Sequence, residues 1–378
     1  MRDITNRERQ NAIFHYEDYD RMPVVHFGWW DDLLRQWCRE GHLTQEEITG
    51  VSDGNAKDRA IAEKLGFDYN YFSTFQAKSG LGCLFPHFES KIIRELEDGG
   101  YHLQNGDGVI ILQKPGAGSI PAEIDHTLKD RGSWETHFLP RLLWSEDRID
   151  KPALEVIKEE SKTRTEPLGI YLGSMMGQLR DWMGIVGLSY LLADDDELYD
   201  EILSTIAELQ YRTAAYVLES GAEFDFGHFW EDIAFRNGPL VNPSVFYEKA
   251  GAHYKRMTDL CKRHGIDIIS LDCDGVPDAL IPAWFDNGVN TMFPIEVGVW
   301  DGSLAPWRKQ YGKALRGVGG MRKHVLECDY SAIDKEIERL RPLVALGGYI
   351  PCPDHRLTVD TKWELVQYYC DRMKRQSW

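Results

Sequence analysis

The chain has 378 residues, 43% of them hydrophobic, and a net charge of -18. That acidity excludes nucleic acid as the expected partner, since phosphate neutralisation needs a basic surface. No apolar run approaches membrane-spanning length, the start MRDITNRERQ is no signal peptide, and the seven scattered cysteines form no CxxC, so the reading is a cytoplasmic protein without a disulfide framework.

In chain order, Thr5-Asn-Arg-Glu8 is a capping box that opens a helix to Phe14. Asp20 to Trp29 reads as a first strand with His26 near its end, and Trp29 to Arg39 as a helix. Lys57 to Leu65 is helical, and Gly66 to Thr74 is a second strand. Residues 85–114 break the rhythm: two apolar stretches with Gly-rich turns predict antiparallel strands, inserted over one end of the fold. Trp134 to Phe138 and Asp150 to Lys162 are helices, and Leu168 to Ser174 is a strand ending in small residues.

Asp196 to Ser220 is the clearest helix, with Leu198, Ile202, Ile206 and Leu209 on one stripe. Ala222 to Asp232 is a strand carrying His228 near its end. Asn242-Pro243 starts a helix to His264. Gly265 to Gly302 then reads as strand, helix and parallel strand, with Asp272 and Asp274 ending the first strand and Glu296 the second. Lys313 to Gly320 is a strand, Ser331 to Leu340 a helix, Gly347 to His355 the last strand, and Lys362 to Met373 the last helix.

About eight strand–helix units predict an α/β fold: one (β/α)8 barrel over residues 1–378, with the 85–114 hairpin insertion. Chemistry in such a barrel sits where the strands end. Those ends supply His26, His228, Asp232, Asp272, Asp274, Glu296, Arg322, Cys352, Asp354 and His355. Strand alternation puts Ile269, Leu271 and Cys273 on one face, and Ser270, Asp272 and Asp274 on the other. The same rule puts Thr291, Phe293 and Ile295 on one face and Met292, Pro294 and Glu296 on the other. If the wholly apolar faces pack on helices, all the acids turn to the mouth.

Carboxylates, imidazoles and one thiol at a mouth suit a metal site with an open position. The plainer alternatives are a turn and helix cap for Asp272, Asp274 and Asp278, and a loop pair for Asp354-His355. Gly317-Val-Gly-Gly320 is a weak phosphate signal that equally fits a close backbone approach. No GxGxxG, P-loop, HExxH or GxSxG is present.

The whole chain resembles the uroporphyrinogen decarboxylase superfamily. The segments that carry the resemblance are Asn6-Arg-Glu-Arg9 with Asp20-Arg-Met-Pro23, the run from Gly173 to Trp182, Asn237-Gly-Pro-Leu240, Asp272-Cys-Asp-Gly275, Pro294-Ile-Glu296 and Gly347 to His355. The resemblance implies a distorted (β/α) barrel and either decarboxylation or methyl transfer linked to a corrinoid protein. The decarboxylases carry an arginine-rich motif after the first strand. Here Val24 to Asp32 has no arginine and two acids, which would repel a polycarboxylate.

The zinc methyltransferases of the superfamily carry His-x-Cys near residue 274, where this chain has Asp272 and Asp274. Carboxylates harden the site toward an ether oxygen. The resemblance therefore implies the corrinoid-dependent O-demethylase branch, which moves a methyl group from a small aryl methyl ether to a corrinoid protein. It implies Zn2+ held among Asp272, Asp274, Glu296, Cys352 and His355. Glu296, Asp274 and His355 would be catalytic, and His26, Trp29, His228, Trp230 and Arg322 would contact substrate, with the donor ring against Trp29, Trp30, Phe229 or Trp230. The alternatives are a decarboxylase or lyase on another acid, and a non-catalytic barrel that binds a partner.

Overall fold

The computed structural model describes residues 4–114 and 121–378. The capping box forms as read: Glu8 N–H donates to Thr5 Oγ1 (3.1 Å) and Thr5 N–H to Glu8 Oε2 (2.7 Å), opening the helix Asn6–Phe14. Strands β1 (Val25–His26) and β2 (Tyr69–Asn70) pair in parallel, and β3 (Thr74–Phe75) follows β2 directly. β4 (Lys91–Glu95), β5 (Tyr101–Gln104), β6 (Val109–Gln113) and β7 (Ala122–His126) form a separate antiparallel sheet. The insertion is thus four-stranded and reaches past residue 114, because β7 pairs with β6 from Val109↔His126 to Leu112↔Ala122.

The remaining strands are β8 (Gly169–Gly173), β9 (Phe226–Trp230), the short antiparallel pair β10 (Ala234–Phe235) and β11 (Gly238–Pro239), β12 (Ile269–Asp272), β13 (Thr291–Phe293), β14 (Arg316–Met321) and β15 (Tyr349–Pro353). Seven strands make one parallel sheet in the order β15-β14-β13-β12-β9-β8-β3. Where a closed eight-stranded barrel was expected, the described residues form an α/β fold with a seven-stranded parallel sheet and a separate β1–β2 pair. No continuous ladder joins β15 to β1 among the described residues; an isolated parallel bridge, Trp29–Leu357, links the two ends.

Helices alternate with the strands. Asp196–Glu219 forms as the stripe predicts, with Leu198, Ile202, Ile206 and Leu209 all buried. The helix Met176–Asp194 was not read from the sequence, since glycines 177, 184 and 187 and its uneven apolar spacing hide the period. Its first turn is capped from a distance: Met175 and Gly177 N–H both donate to the buried carboxylate of Glu231, at 2.9 and 2.7 Å. Among the described residues, no helix is long and apolar enough to cross a membrane.

One expected face is reversed. Phe293 points inward, where its ring meets those of Phe27, Tyr71 and His228 at 4.6–5.8 Å. Glu296 still reaches the mouth because regular alternation stops after Phe293: Ile295 takes φ 54°, which re-aims the chain. The Gly317–Gly320 stretch is a close backbone approach, not a phosphate loop. A Cβ on Gly319 would lie 1.4 Å from the Pro294 carbonyl oxygen, and Gly320 N–H donates to that oxygen at 3.0 Å.

Candidate metal centre at the strand ends

β9 and β12 lie side by side, with Asp272 opposite Trp230. Two residues beyond β9 stands Asp232, and two beyond Asp272 stands Asp274. One oxygen from each of Asp232, Asp272 and Asp274 lies within 4.8 Å of the other two. The loop after β12 holds both neighbours: Asp274 N–H donates to Asp232 Oδ1 (2.9 Å), and Gly275 N–H donates to Glu296 Oε2 (2.6 Å). Only glycine fits at 275, where φ is 82° and a Cβ would meet the Ala234–Phe235 backbone at 2.7–2.8 Å.

His355 completes the group, its Nε2 3.3 Å from Asp274 Oδ2. The His355 ring stacks on Trp30 (centroids 5.6 Å apart, 20° between planes) and meets Phe27 edge-on. Asp274 Oδ1 and His355 Nδ1 are buried without a hydrogen-bond partner.

Burial dominates the electrostatics. It pushes Asp232 up to about 8, with the Asp274 charge adding to it. It raises Asp272 well above the carboxylate range, with Asp232 and Asp274 next in importance. Glu296 is pushed up to about 7 by burial and then by Asp274. Like charges this close cannot all ionise without a cation. Lys323 lies beside them, its amine held below the usual range by burial against the pull of Asp354, Glu296 and Asp274.

The residues singled out from sequence fall into two sets. Asp272, Asp274, Glu296 and His355 come together, and Trp230 stands next to them, with the Arg180 guanidinium 5.9 Å from its ring. The others lie elsewhere. Cys352 is fully buried within β15, its thiol pushed well up by burial, and is not part of the carboxylate group. Arg322 forms an exposed ion pair with Asp301 at 2.7 Å. Trp29 is buried, stacked on His26 at 4.4 Å, with its indole N–H on Asp58 Oδ1 at 2.7 Å.

His26 is also buried and lowered by that burial; it accepts from Gly28 N–H at 3.1 Å. His228 is equally buried, ringed by Tyr71, Phe72, Phe226 and Phe293, with Nδ1 2.5 Å from Ser270 Oγ and its pKa lowered to about 3 by burial. Phe229 packs outward on Tyr254. Of the four side chains expected to face the donor ring, Trp30 and Trp230 are therefore the two beside the site.

Asp354 is a loop organiser: Val297, Gly298 and Lys323 N–H groups donate to it at 2.9, 2.8 and 3.1 Å. Asp232, named in the sequence only as a strand end, is a full member of the metal-competent group. The signal was present, since an acid two residues past a strand is the same pattern that picked out Asp274.

No family model matches the sequence, and no curated protein matches it. Among solved structures, the fold is similar to that of a methyltransferase from Methanosarcina mazei, at 15% identity over 98% of each chain with a TM-score of 0.57. It is more loosely similar to a B12-independent methionine synthase from a Shewanella species in complex with selenomethionine, at 11% identity over 94% of this chain and 96% of that one, with a TM-score of 0.49. At these identities the likeness is one of fold.

Proposed function

We propose that this chain is a methyltransferase that takes a methyl group from a small aryl methyl ether and passes it to a corrinoid protein. Its strands form a (β/α)8 barrel with the site at the mouth, and a divalent cation, with zinc the first candidate, assists there. One observation carries this reading: three carboxylates, from Asp232, Asp272 and Asp274, meet at adjacent strand ends, and among the described residues no lysine or arginine forms an ion pair with any of them. The donor set fits a metal. Asp274 Oδ1 is a buried acceptor without a partner, and His355 adds a nitrogen beside three hard oxygens. When bound, the ion would supply Lewis acidity toward an ether oxygen.

The chain's own residues supply the rest. Glu296 is held near neutrality and keeps a proton at physiological pH on a fraction of molecules. A phenol oxygen is far more basic, with an ordinary pKa of about 10. The methyl carbon passes to the partner protein's reduced corrinoid, which would supply the electron pair of the new bond; the pair of the broken carbon–oxygen bond stays on oxygen, and the Glu296 proton moves to that oxygen. Gly275 N–H then stabilises the Glu296 carboxylate that remains. Trp30 and Trp230 offer faces to the ring, and Trp30 also fixes the His355 imidazole by stacking.

The test is metal content and methyl transfer on one preparation. About one zinc per chain and cobalamin-dependent release of catechol from 2-methoxyphenol are expected. Asp272→Asn should lose both. Retained metal in a triple variant of Asp232, Asp272 and Asp274 to Asn, or no demethylation by a zinc-loaded chain, would overturn the reading.

A further inference from the structure

The site extends past the carboxylate group toward the insertion. The helix Met176–Asp194, anchored by Glu231, brings Gln178 and Asp181 to this side of the mouth. The β5–β6 turn brings Asp107 to meet them, with its tip fixed by Asp107 N–H donating to Asn105 Oδ1 at 3.0 Å. Gln178 is 3% exposed, and its Oε1 is buried without a hydrogen-bond partner. That oxygen and Asp107 Oδ1 lie within 3.7 and 3.3 Å of the point where a Gly82 side chain would begin.

The Arg180 guanidinium lies 5.9 Å from the ring of Trp230, itself opposite Asp272, which puts the neighbouring Asp181 on the side of the metal-competent group. Its carboxylate accepts from Arg180 at 2.5 Å. No protein donor reaches the Asp107 carboxylate among the described residues. The arrangement is a set of acceptors with a buried, unsatisfied member, which is costly unless a donor arrives.

We propose that Asp107, Gln178 and Asp181 form a subsite that recognises a hydrogen-bond-donating, non-anionic group on the methyl donor, such as a hydroxyl next to the methoxy group. The inference rests on the aryl-ether reading and narrows it: methoxyphenols are substrates and methoxybenzoates are not. A hydroxyl donates its one proton into this acceptor set, where the orphaned Gln178 Oε1 is the first partner. A carboxylate brings a further acceptor and a like charge into an acidic pocket, and both oppose its binding. Burial raises both Asp107 and Asp181, the latter to about 6, consistent with acceptors that lack a full complement of donors.

Three probes of near-equal shape separate the possibilities: 2-methoxyphenol, methoxybenzene and 2-methoxybenzoate, each titrated calorimetrically into the full-length zinc-loaded chain at pH 7.5. The expected order is 2-methoxyphenol at least ten-fold tighter than methoxybenzene, with 2-methoxybenzoate weakest. A site built to hydrogen-bond a hydroxyl discriminates strongly against an analogue that lacks it. Asp107→Asn, at a turn, should narrow the gap between phenol and benzoate ten-fold by removing one charge while keeping an acceptor.

Benzoate binding as tightly as the phenol, or a gap unchanged in Asp107→Asn, overturns the subsite while leaving the demethylase reading in place. Failure of all three probes to bind or lose methyl overturns both.

Discussion

Glu296→Gln separates a residue held ready for a ligand from one that supports the fold. Burial holds the Glu296 carboxyl at about 7 against an ordinary 4.5. Each pH unit of that gap corresponds to roughly 1.4 kcal/mol, so ionised Glu296 costs the metal-free fold about 3 kcal/mol before screening, and about 2 kcal/mol at a partly open rim. For an acid raised in the folded state, the unfolded chain loses its proton first. Stability therefore falls as pH rises from 4.5 to 7 and stays low above it.

Glutamine keeps an oxygen to accept from Gly275 N–H and adds donors toward Asp274. In chelator-treated protein at pH 8, Glu296→Gln should therefore be more stable by about 2 kcal/mol. For 378 residues this is a rise in Tm of roughly 2–3 °C by scanning calorimetry, and the difference should vanish below pH 4. The same variant should lose methyl transfer far more than substrate affinity, since the proton donor is gone. A variant that melts lower than wild type at pH 8 would show that the Glu296 charge is a structural contact, and the reasoning would fail.

Zinc affinity should rise as pH rises through about 8, because Asp232 must release its proton to bind; proton uptake or no pH dependence in calorimetry would contradict this. Asp354→Ala removes three backbone hydrogen bonds to one carboxylate and should cost about 3 kcal/mol, read as a lower denaturation midpoint at unchanged slope. Uroporphyrinogen should not be turned over, since Arg356 is paired to Asp53 (2.6 Å) and Arg180 to Asp181; decarboxylated product above a no-enzyme control would refute it. Arg322→Ala should change activity less than two-fold, as its guanidinium faces Asp301 near solvent; a large loss in methyl transfer at unchanged Tm would bring it back to the site.

The strand ends were legible wherever one element decides the outcome. Asp272 and Asp274 follow from alternation within a single strand, and Ser270 on the same face does meet His228 inside the sheet. Legibility ended where two elements must be known together. Thr291 and Phe293 look like a helix-facing stripe, but the aromatic interior built by Phe27, Tyr71 and Phe72 takes Phe293 inward. Glu296 reaches the mouth through the backbone of Ile295, which no periodicity reports. Trp29 and Trp30 are adjacent, and only the fold shows that Asp58 claims the first and His355 the second. Cys352 looked like a ligand by type and position, yet the β15 register buries it opposite Gly320.

Carboxylates pushed this far from their ordinary range destabilise a fold, so their retention has to be read with the groups that hold them. Two backbone donors from one loop, Asp274 N–H and Gly275 N–H, fix acids on the strands to either side. Those bonds stabilise the charged forms, yet burial still outweighs them at Asp232 and Glu296. A purely structural cluster would be expected to recruit a guanidinium, as Asp53 does with Arg356 and Asp68 with Arg21 in the same chain. The mouth instead leaves Asp274 Oδ1 without a donor and holds the nearby Lys323 amine against Arg356 carbonyl oxygen at 3.3 Å. Preformed acidic positions with no lysine or arginine ion-paired to them among the described residues are what a cation-dependent site requires before its ion arrives.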